Sequence, residues 1–440
     1  MHSSSCRCLL APGTPLGRAR HVYTPDGEVF IDTIKHLQQI AGVDLENPPD
    51  KPNILDEAPE NIGKNFLEEK KPKFQNLLTR QVERNAYKAL QREATQSLLA
   101  LNNTDFQAQF RDENSNVRQY IALLQCDKMS RAWINAIPKN NHFFLANVDL
   151  KDCYATIFGQ PSKQFARWKG TVFGRGRILD SFGDQLSLQN LRGVPHWDIA
   201  HTAIKHCLAK WMRIAEIHVI VEAFGLFSSC FPPGVYETID TTNRKALVPD
   251  IMMDGRICEL KRMNASFSYY TLNSSRTPQA PVKRRQERVK GEYMQKAKQA
   301  DLKYNNHNAN TDGKGPIASR LDELGDINSL ITGAFYECSP NFHTTLTHIA
   351  STFAEKKWES MGFDSLEACR GVYSRVLYRD IGITIARQAT WTKRDRLGLV
   401  CDGGTSLNQR LATVERERVQ IIAQEEQYAQ RFSHMHNIVI

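Results

Sequence analysis

No Cys-x-x-Cys pair occurs in the 440 residues, although the chain carries ten cysteines. A disulfide framework or a zinc ribbon would cluster its thiols, so scattered ones point to reduced cysteines in an intracellular protein. Nor is there an apolar run near the roughly 20 residues that a membrane-crossing helix requires. The densest apolar stretch, "HVIVEAFGLF", is short and contains Glu222, so no membrane partner is expected. Internal repeats are missing as well, which removes solenoids and propellers. The opening "MHSSSCRCLLAPGTPLGRARH" lacks acids and is rich in Ser and Arg, as transit peptides are, but it also lacks an apolar centre. It reads as a disordered end.

What is present suits a soluble fold. Hydrophobic residues make up 41% of the chain and charged residues 24%, enough for a sizeable core over two or three domains. A net charge of +9 favours polyanionic partners such as nucleic acid, weakly at this length. Residues 1–75 are dense in Pro, Asn and charge and read as a loosely ordered arm. From Asn76, the spacing of Leu77, Val82, Ala86, Leu90, Ala94 and Leu98 predicts a helix, and a second is expected over 116–136, making 76–190 mainly helical. His196 to Ile214 predicts an amphipathic helix, Ile217 to Phe224 a strand, and 246–261 a hairpin, followed by the basic helix "KRRQERVKGEYMQKAKQADLKY". The fold expected is therefore α/β (or α+β), with a core at 191–345 and a helical region over 346–440 that ends in "SLNQRLATVERERVQIIAQEEQYAQRF".

One stretch carries chemistry. In "LVPDIMMDGRICELKRM", Asp254-Gly255 is a strong signal for a two-residue type I′ turn, which needs positive φ at both positions. With that turn, Met253 faces Arg256 and Asp250 faces Glu259. Side chains alternate along a strand, so Asp250, Glu259 and Lys261 share one face, while Leu247, Ile251, Met253, Cys258 and Leu260 share the other. Opposed Cβ atoms lie about 4.5–5.5 Å apart, near enough for two carboxylates to share a divalent ion. Like charges directly across a strand pair destabilise it, and a cation would remove that penalty. Oxygen-only ligands suit Mg2+ or Mn2+ better than zinc, with Lys261 placed to orient a water against a phosphodiester. Other [D/E]-x-K tails occur in the chain, such as Glu68/Lys70 and Asp301/Lys303, but none of them ends a hairpin with Pro-Asp on its first strand.

"PDIMMDGRICELK" resembles the PD-(D/E)xK signature of the restriction-endonuclease-like nuclease superfamily. With "PHWDIAHTAI", "VIVEAF" and "GEYMQKAKQADLKY", it is similar to the C-terminal endonuclease region of non-LTR retrotransposons with restriction-like endonucleases. Related retroelement-derived proteins of protists share that similarity, and "GPIASRLDELGDINSLITGAFYECSPNFHTTLTHIA" fits this second group. The likeness covers roughly residues 120–400, and only the hairpin motif is specific to chemistry. It implies a restriction-endonuclease-like core with a mixed β-sheet, DNA as partner, Mg2+ (or Mn2+) as cofactor, Asp250 and Glu259 as metal ligands, and Lys261 positioning the nucleophilic water. The superfamily's additional acid has no clean match; Glu222 is preferred, with Glu216 and Asp198 behind it. The Cys/His zinc knuckle of the retroelement branch is missing from "LDSFGDQLSLQNLRGVPH".

The remaining motifs weigh less. His196, His201 and His206 recur every five residues, so successive ones are rotated by about 140° on a helix and cannot share a face. Core or surface roles are expected for them, although His196 matches the histidine of the retroelement pattern. "VDLKDCY" resembles a reverse-transcriptase palm motif, but such polymerases also need a paired-Asp turn and this chain has no Asp-Asp. "FGRGRILD" reads as a turn in which Arg175 and Arg177 could touch a backbone phosphate. In the basic helix, Arg284, Arg285, Arg288, Lys290 and Lys298 surround an apolar stripe of Val289, Tyr293, Ala297, Ala300 and Tyr304, and are the expected DNA-backbone contacts. "KRRQERVK" also has the composition of a nuclear-import signal. A homodimer is compatible with these features. The competing expectation is a non-catalytic nucleic-acid-binding remnant of a retroelement polyprotein.

Overall fold

Asp254 and Gly255 take φ angles of 47° and 79°, the two left-handed positions of a type I′ turn, and the rest of the sheet follows from that hairpin. Gly255 adopts this angle freely, and Asp tolerates it better than most residues. The computed structural model describes residues 71–135, 145, 147–173, 177–187, 196–239, 247–306 and 313–401. The expected arm, apart from 71–75, and the expected terminal helix after Cys401 lie outside the described residues.

The elements run in the order α1 (Lys71–Leu99), α2 (Asn103–Arg111), α3 (Val117–Gln125), α4 (Lys128–Ala132), α5 (Asn147–Ile157) and α6 (Lys163–Ala166). A two-stranded antiparallel ribbon follows, β1 (Val172–Phe173) and β2 (Arg177–Ile178). Next come α7 (His196–Ile214), β3 (Val219–Val221), α8 (Val235–Thr238), β4 (Ile251–Met253) and β5 (Arg256–Arg262). The chain continues through α9 (Leu272–Ser275), α10 (Ala280–Tyr304), α11 (Pro316–Glu323), β6 (Asn328–Thr332), α12 (Pro340–Lys357) and α13 (Leu366–Cys401). The result is mixed α/β, with thirteen α-helices among the described residues. The described residues divide into two compact units after Gln96.

Within the second unit, four strands form a mixed sheet in the order β3-β4-β5-β6. β3, β4 and β5 are antiparallel neighbours, and β6 joins β5 in parallel. Ile251 pairs with Cys258 and Met253 with Arg256, the register the turn predicted. One sheet face buries Ile251, Met253, Cys258, Leu260 and Leu330 against Leu208 and Met212 of α7, Ile349 of α12 and Leu377 of α13. Fully burying side chains of this size stabilises the fold by about 1.5–3 kcal/mol each. The opposite face is covered too, because Met252 and Ile257 are buried.

Three elements depart from expectation for local reasons. The helix expected over 116–136 breaks at Cys126-Asp127, because the Asp127 side chain accepts from the Ser130 N–H at 2.8 Å and starts α4 in a capping box. The strand expected from Ile217 to Phe224 ends at Val221, where Glu222 takes a left-handed φ of 52°. β6 lies beyond the basic helix, where the sequence predicted no strand; "NSLIT" is too short for its periodicity to distinguish strand from helix, and only pairing with β5 decides it.

Candidate active site

The β4–β5 register carries one residue beyond the ladder, setting Asp250 opposite Glu259. The Asp250 N–H donates toward Glu259 Oε2 at 3.4 Å, and the Leu260 N–H donates to Asp250 Oδ2 at 2.9 Å. On the other side of Asp250, the Glu222 N–H donates to the Asp250 carbonyl at 3.1 Å. Val221 pairs with Ile251, so Glu222, Asp250 and Glu259 occupy one row across three strands. Lys261 reaches back along β5, and its Nζ donates to Glu259 Oε1.

Two side chains of α7 complete the cluster. His201 Nε2 lies 3.2 Å from Asp250 Oδ2 and 3.1 Å from the Leu260 carbonyl. Lys205, one turn later and therefore on the same helix face, donates from Nζ to Glu222 Oε1. Lys205 is 2% exposed, whereas the Glu222 side chain is 44% exposed, so the buried ammonium is anchored by a partner at the rim. Over the same site stands Tyr293 of α10, whose hydroxyl donates to the Leu247 carbonyl at 2.8 Å. Burial, with the charges of Glu259 and Asp250 adding to it, pushes the Tyr293 phenol far above its ordinary value.

These contacts split the two central carboxylates. Burial opposes ionisation of Asp250, yet the His201 hydrogen bond and the charges of His201, Lys261 and Lys205 together hold it below the ordinary value. Glu259 is 4% exposed; burial first, then the charge of Asp250, push its carboxyl up despite Lys261. A pair of acids with opposite shifts is a recurring mark of a functional site. Added positive charge between them would remove the strain that burial leaves on Glu259.

Each expected site residue can now be placed. Asp250, Glu259 and Lys261 come together as the register predicted. Glu222 stands beside Asp250 in the row, held by Lys205. Glu216 is drawn elsewhere, paired with Lys357 at 2.6 Å and Lys356 at 3.7 Å. The side chains of His196 and Asp198, and Arg175 as a whole, lie outside the described residues, while Arg177 sits half-buried on β2. On α10, the buried stripe consists of Val289, Tyr293, Ala297 and Ala300. Arg285 is engaged by Glu292 at 2.9 Å, Lys290 pairs with Asp326, and Arg284 donates to Thr271 Oγ1 at 3.3 Å. Arg288 and Lys298 are exposed.

Sequence reasoning set His201 aside and overlooked Lys205 and Tyr293. The argument that His196, His201 and His206 cannot share a face concerned a common site for all three. The informative signal was the four-residue step from His201 to Lys205, which puts a weak base and a cation on one stripe facing two acids. For a divalent ion, the donor set offers the hard carboxylate oxygens of Asp250 and Glu259, which fit Mg2+ or Mn2+. Among the described residues, no group of three His, Cys, Asp or Glu side chains converges on one point. The residues that would hold such an ion are Asp250 and Glu259. Comparison with protein-family models, curated proteins and solved structures found no match for this chain.

Proposed function

We propose that this chain is a Mg2+- or Mn2+-dependent DNA endonuclease of the PD-(D/E)xK restriction-endonuclease-like type, derived from a retrotransposon-type mobile element. The observation that carries the reading is the meeting of Asp250, Glu259 and Lys261 at the end of one hairpin, with Asp250 held ionised by His201. Asp250 and Glu259 would hold the ion, which when bound supplies a water of lowered pKa and a Lewis acid for the scissile phosphate. Lys261 would orient the attacking water and offset charge developing on the phosphate. His201 keeps the Asp250 carboxylate in one orientation, and Glu222 is the additional acid at the rim. Exposed Arg288 and Lys298 would contact the DNA backbone, with Arg284, Arg285 and Lys290 adding to the same basic helix. A basic chain with "KRRQERVK" is in keeping with a nuclear location, and a homodimer would present two such sites to the two strands.

A second reading has its own support. No third ligand joins the two carboxylates among the described residues, and Lys261 is paired to Glu259, as in a nucleic-acid-binding protein without turnover. Plasmid cleavage in Mg2+ by the native chain and by Asp250→Ala separates the two. Nicking by the native chain and not by the variant supports the nuclease. Cleavage by neither, with DNA still bound by both, leaves the non-catalytic remnant; equal cleavage by both removes this hairpin from the reaction.

A further inference from the structure

Beside the acidic row lies a cavity of about 170 Å3 that the phosphodiester chemistry does not use. Its lining includes the aromatic side chains Phe227, Phe231, Tyr236 and Tyr304 beside several aliphatic ones, and also Lys296 and Lys303 of α10. Phe231 is the centre of that aromatic group, with its ring 5.5 Å from Tyr236 and 5.7 Å from Tyr304. The rings are held in place: the Gly225 N–H donates to the Tyr236 hydroxyl at 3.0 Å, and Asn305 at the end of α10 donates to the Cys230 carbonyl at 3.1 Å. Lys303 Nζ stands 4.8 Å from the centre of the Tyr304 ring, so its charge lies within cation–π range of a ring that lines the cavity.

The cavity is lined by chain neighbours of the candidate active site. Val248 lines the cavity and Asp250 follows two residues later, about 7 Å along an extended backbone. Ala223 lines it too, directly after Glu222. Lys296 is one helical turn beyond Tyr293, the residue that stands over Asp250 and Glu259. A group seated in the cavity would thus lie one nucleotide's reach from a phosphate held at the acidic row.

Size and charge select the occupant. A dry cavity of about 150 Å3 admits benzene, so this one has room for a six-membered ring. Two lysines and no acid appear among the described residues that line it, which suits a ring attached to an anion. We infer that the cavity takes one unstacked pyrimidine base of a DNA strand whose adjacent phosphate lies toward Asp250, so that the substrate is DNA with a single-stranded or extrahelical nucleotide. This rests on the nuclease reading for its second half; the base site itself does not depend on turnover. Extrahelical and single-stranded bases are the accessible class, because pulling a paired base from a duplex costs a few kcal/mol and stacking on aromatic side chains recovers much of it.

The test is binding by the full chain, without divalent metal, to a fluorescein-labelled duplex with one extrahelical thymine and to the same duplex fully paired. The native chain should bind the first about ten-fold more tightly, the effect of one well-stacked base. Ala300→Leu, which puts a branched side chain into the cavity, should abolish that preference and leave affinity for the paired duplex unchanged, with its unfolding curve as the check on folding. Lys303→Gln, an exposed change with no folding risk, should weaken the extrahelical complex more than the paired one. Equal affinity of the native chain for both duplexes overturns the inference, as does a preference that survives both substitutions. A tyrosine-bearing peptide that binds where the extrahelical base has no effect overturns it in favour of a protein partner. Plasmid nicking run in parallel separates the two readings. Base preference without nicking keeps the cavity and removes the nuclease, whereas nicking without base preference removes the cavity alone.

Discussion

At Asp250, a single histidine does much of the work that two lysines would otherwise share. His201 approaches Oδ2 at 3.2 Å and the Leu260 carbonyl at 3.1 Å, so its ring bridges the two strand ends that hold the site. Partners that orient a metal-binding carboxylate typically contribute 10–100-fold to metal affinity or activity. His201→Ala should therefore lower Mg2+-dependent nicking by about that factor while DNA binding in the absence of metal stays at the native level. A different carboxyl, Glu337, adds its own pH-dependent contribution to stability. Glu337 is fully buried, accepts from the Tyr270 hydroxyl at 2.6 Å and the Phe335 N–H at 2.9 Å, and burial pushes it up to about 7. A folded value above the ordinary one means that the native state binds the proton more tightly than the unfolded chain. The contribution of Glu337 to stability is then full below about 4.5, falls as the pH rises toward about 7, and is lost beyond it. The loss is at most about 3 kcal/mol. Urea unfolding at pH 5 and pH 8 should show a steeper decline for the native chain than for Glu337→Gln, and parallel declines would remove Glu337 as the cause.

Among the elements, the hairpin has the sharpest consequence. A two-residue turn with both φ angles positive locks Met253 to Arg256, and every opposition up to Asp250 and Glu259 follows. Inserting one glycine after Gly255 changes the turn and moves β5 by one step, which turns Glu259 and Lys261 to the other face. That insertion should abolish metal-dependent cleavage, and calorimetric Mg2+ titration should show no binding where the native chain shows some. Retained cleavage would mean that the acids do not act through their opposition.

At the scale of the whole molecule, α10 joins the features on which the proposed DNA binding rests. Its buried stripe packs toward the sheet, Tyr293 stands over the acids, Lys296 and Lys303 border the aromatic cavity, and Arg288 and Lys298 face solvent. Each DNA phosphate neutralised by a lysine or arginine releases counterions, so affinity falls with salt at a slope of about −0.9 per contact. Arg288→Gln and Lys298→Gln should each reduce that slope by about 1 and weaken binding alike for all sequences. Lys290→Gln should reduce it less, since Lys290 is already paired with Asp326. Equal effects at all three positions, measured by anisotropy over a salt series, would show that the Asp326 pair opens at no cost. Among the described residues no helix is long and apolar enough to cross a membrane.

What the amino-acid sequence determined by itself was local. The Asp-Gly turn, the period-two alternation around it and the start and end of α7 depend on neighbours two to four residues away, and all three were readable. So was the meeting of Asp250 with Glu259, because a two-residue turn leaves one register. The tertiary structure decided everything that depends on distant chain. Residues some 50 positions away on α7 hold Asp250 ionised, β6 becomes a strand only beside β5, and Met252 and Ile257 are buried only because further elements cover the second face of the sheet. The aromatic cavity belongs to the same class: its rings come from 227–236 and from the end of α10, segments with no local signal to announce that they meet. Turns and periodicity act through backbone geometry, which the chain carries locally, whereas burial and charge pairing act through space.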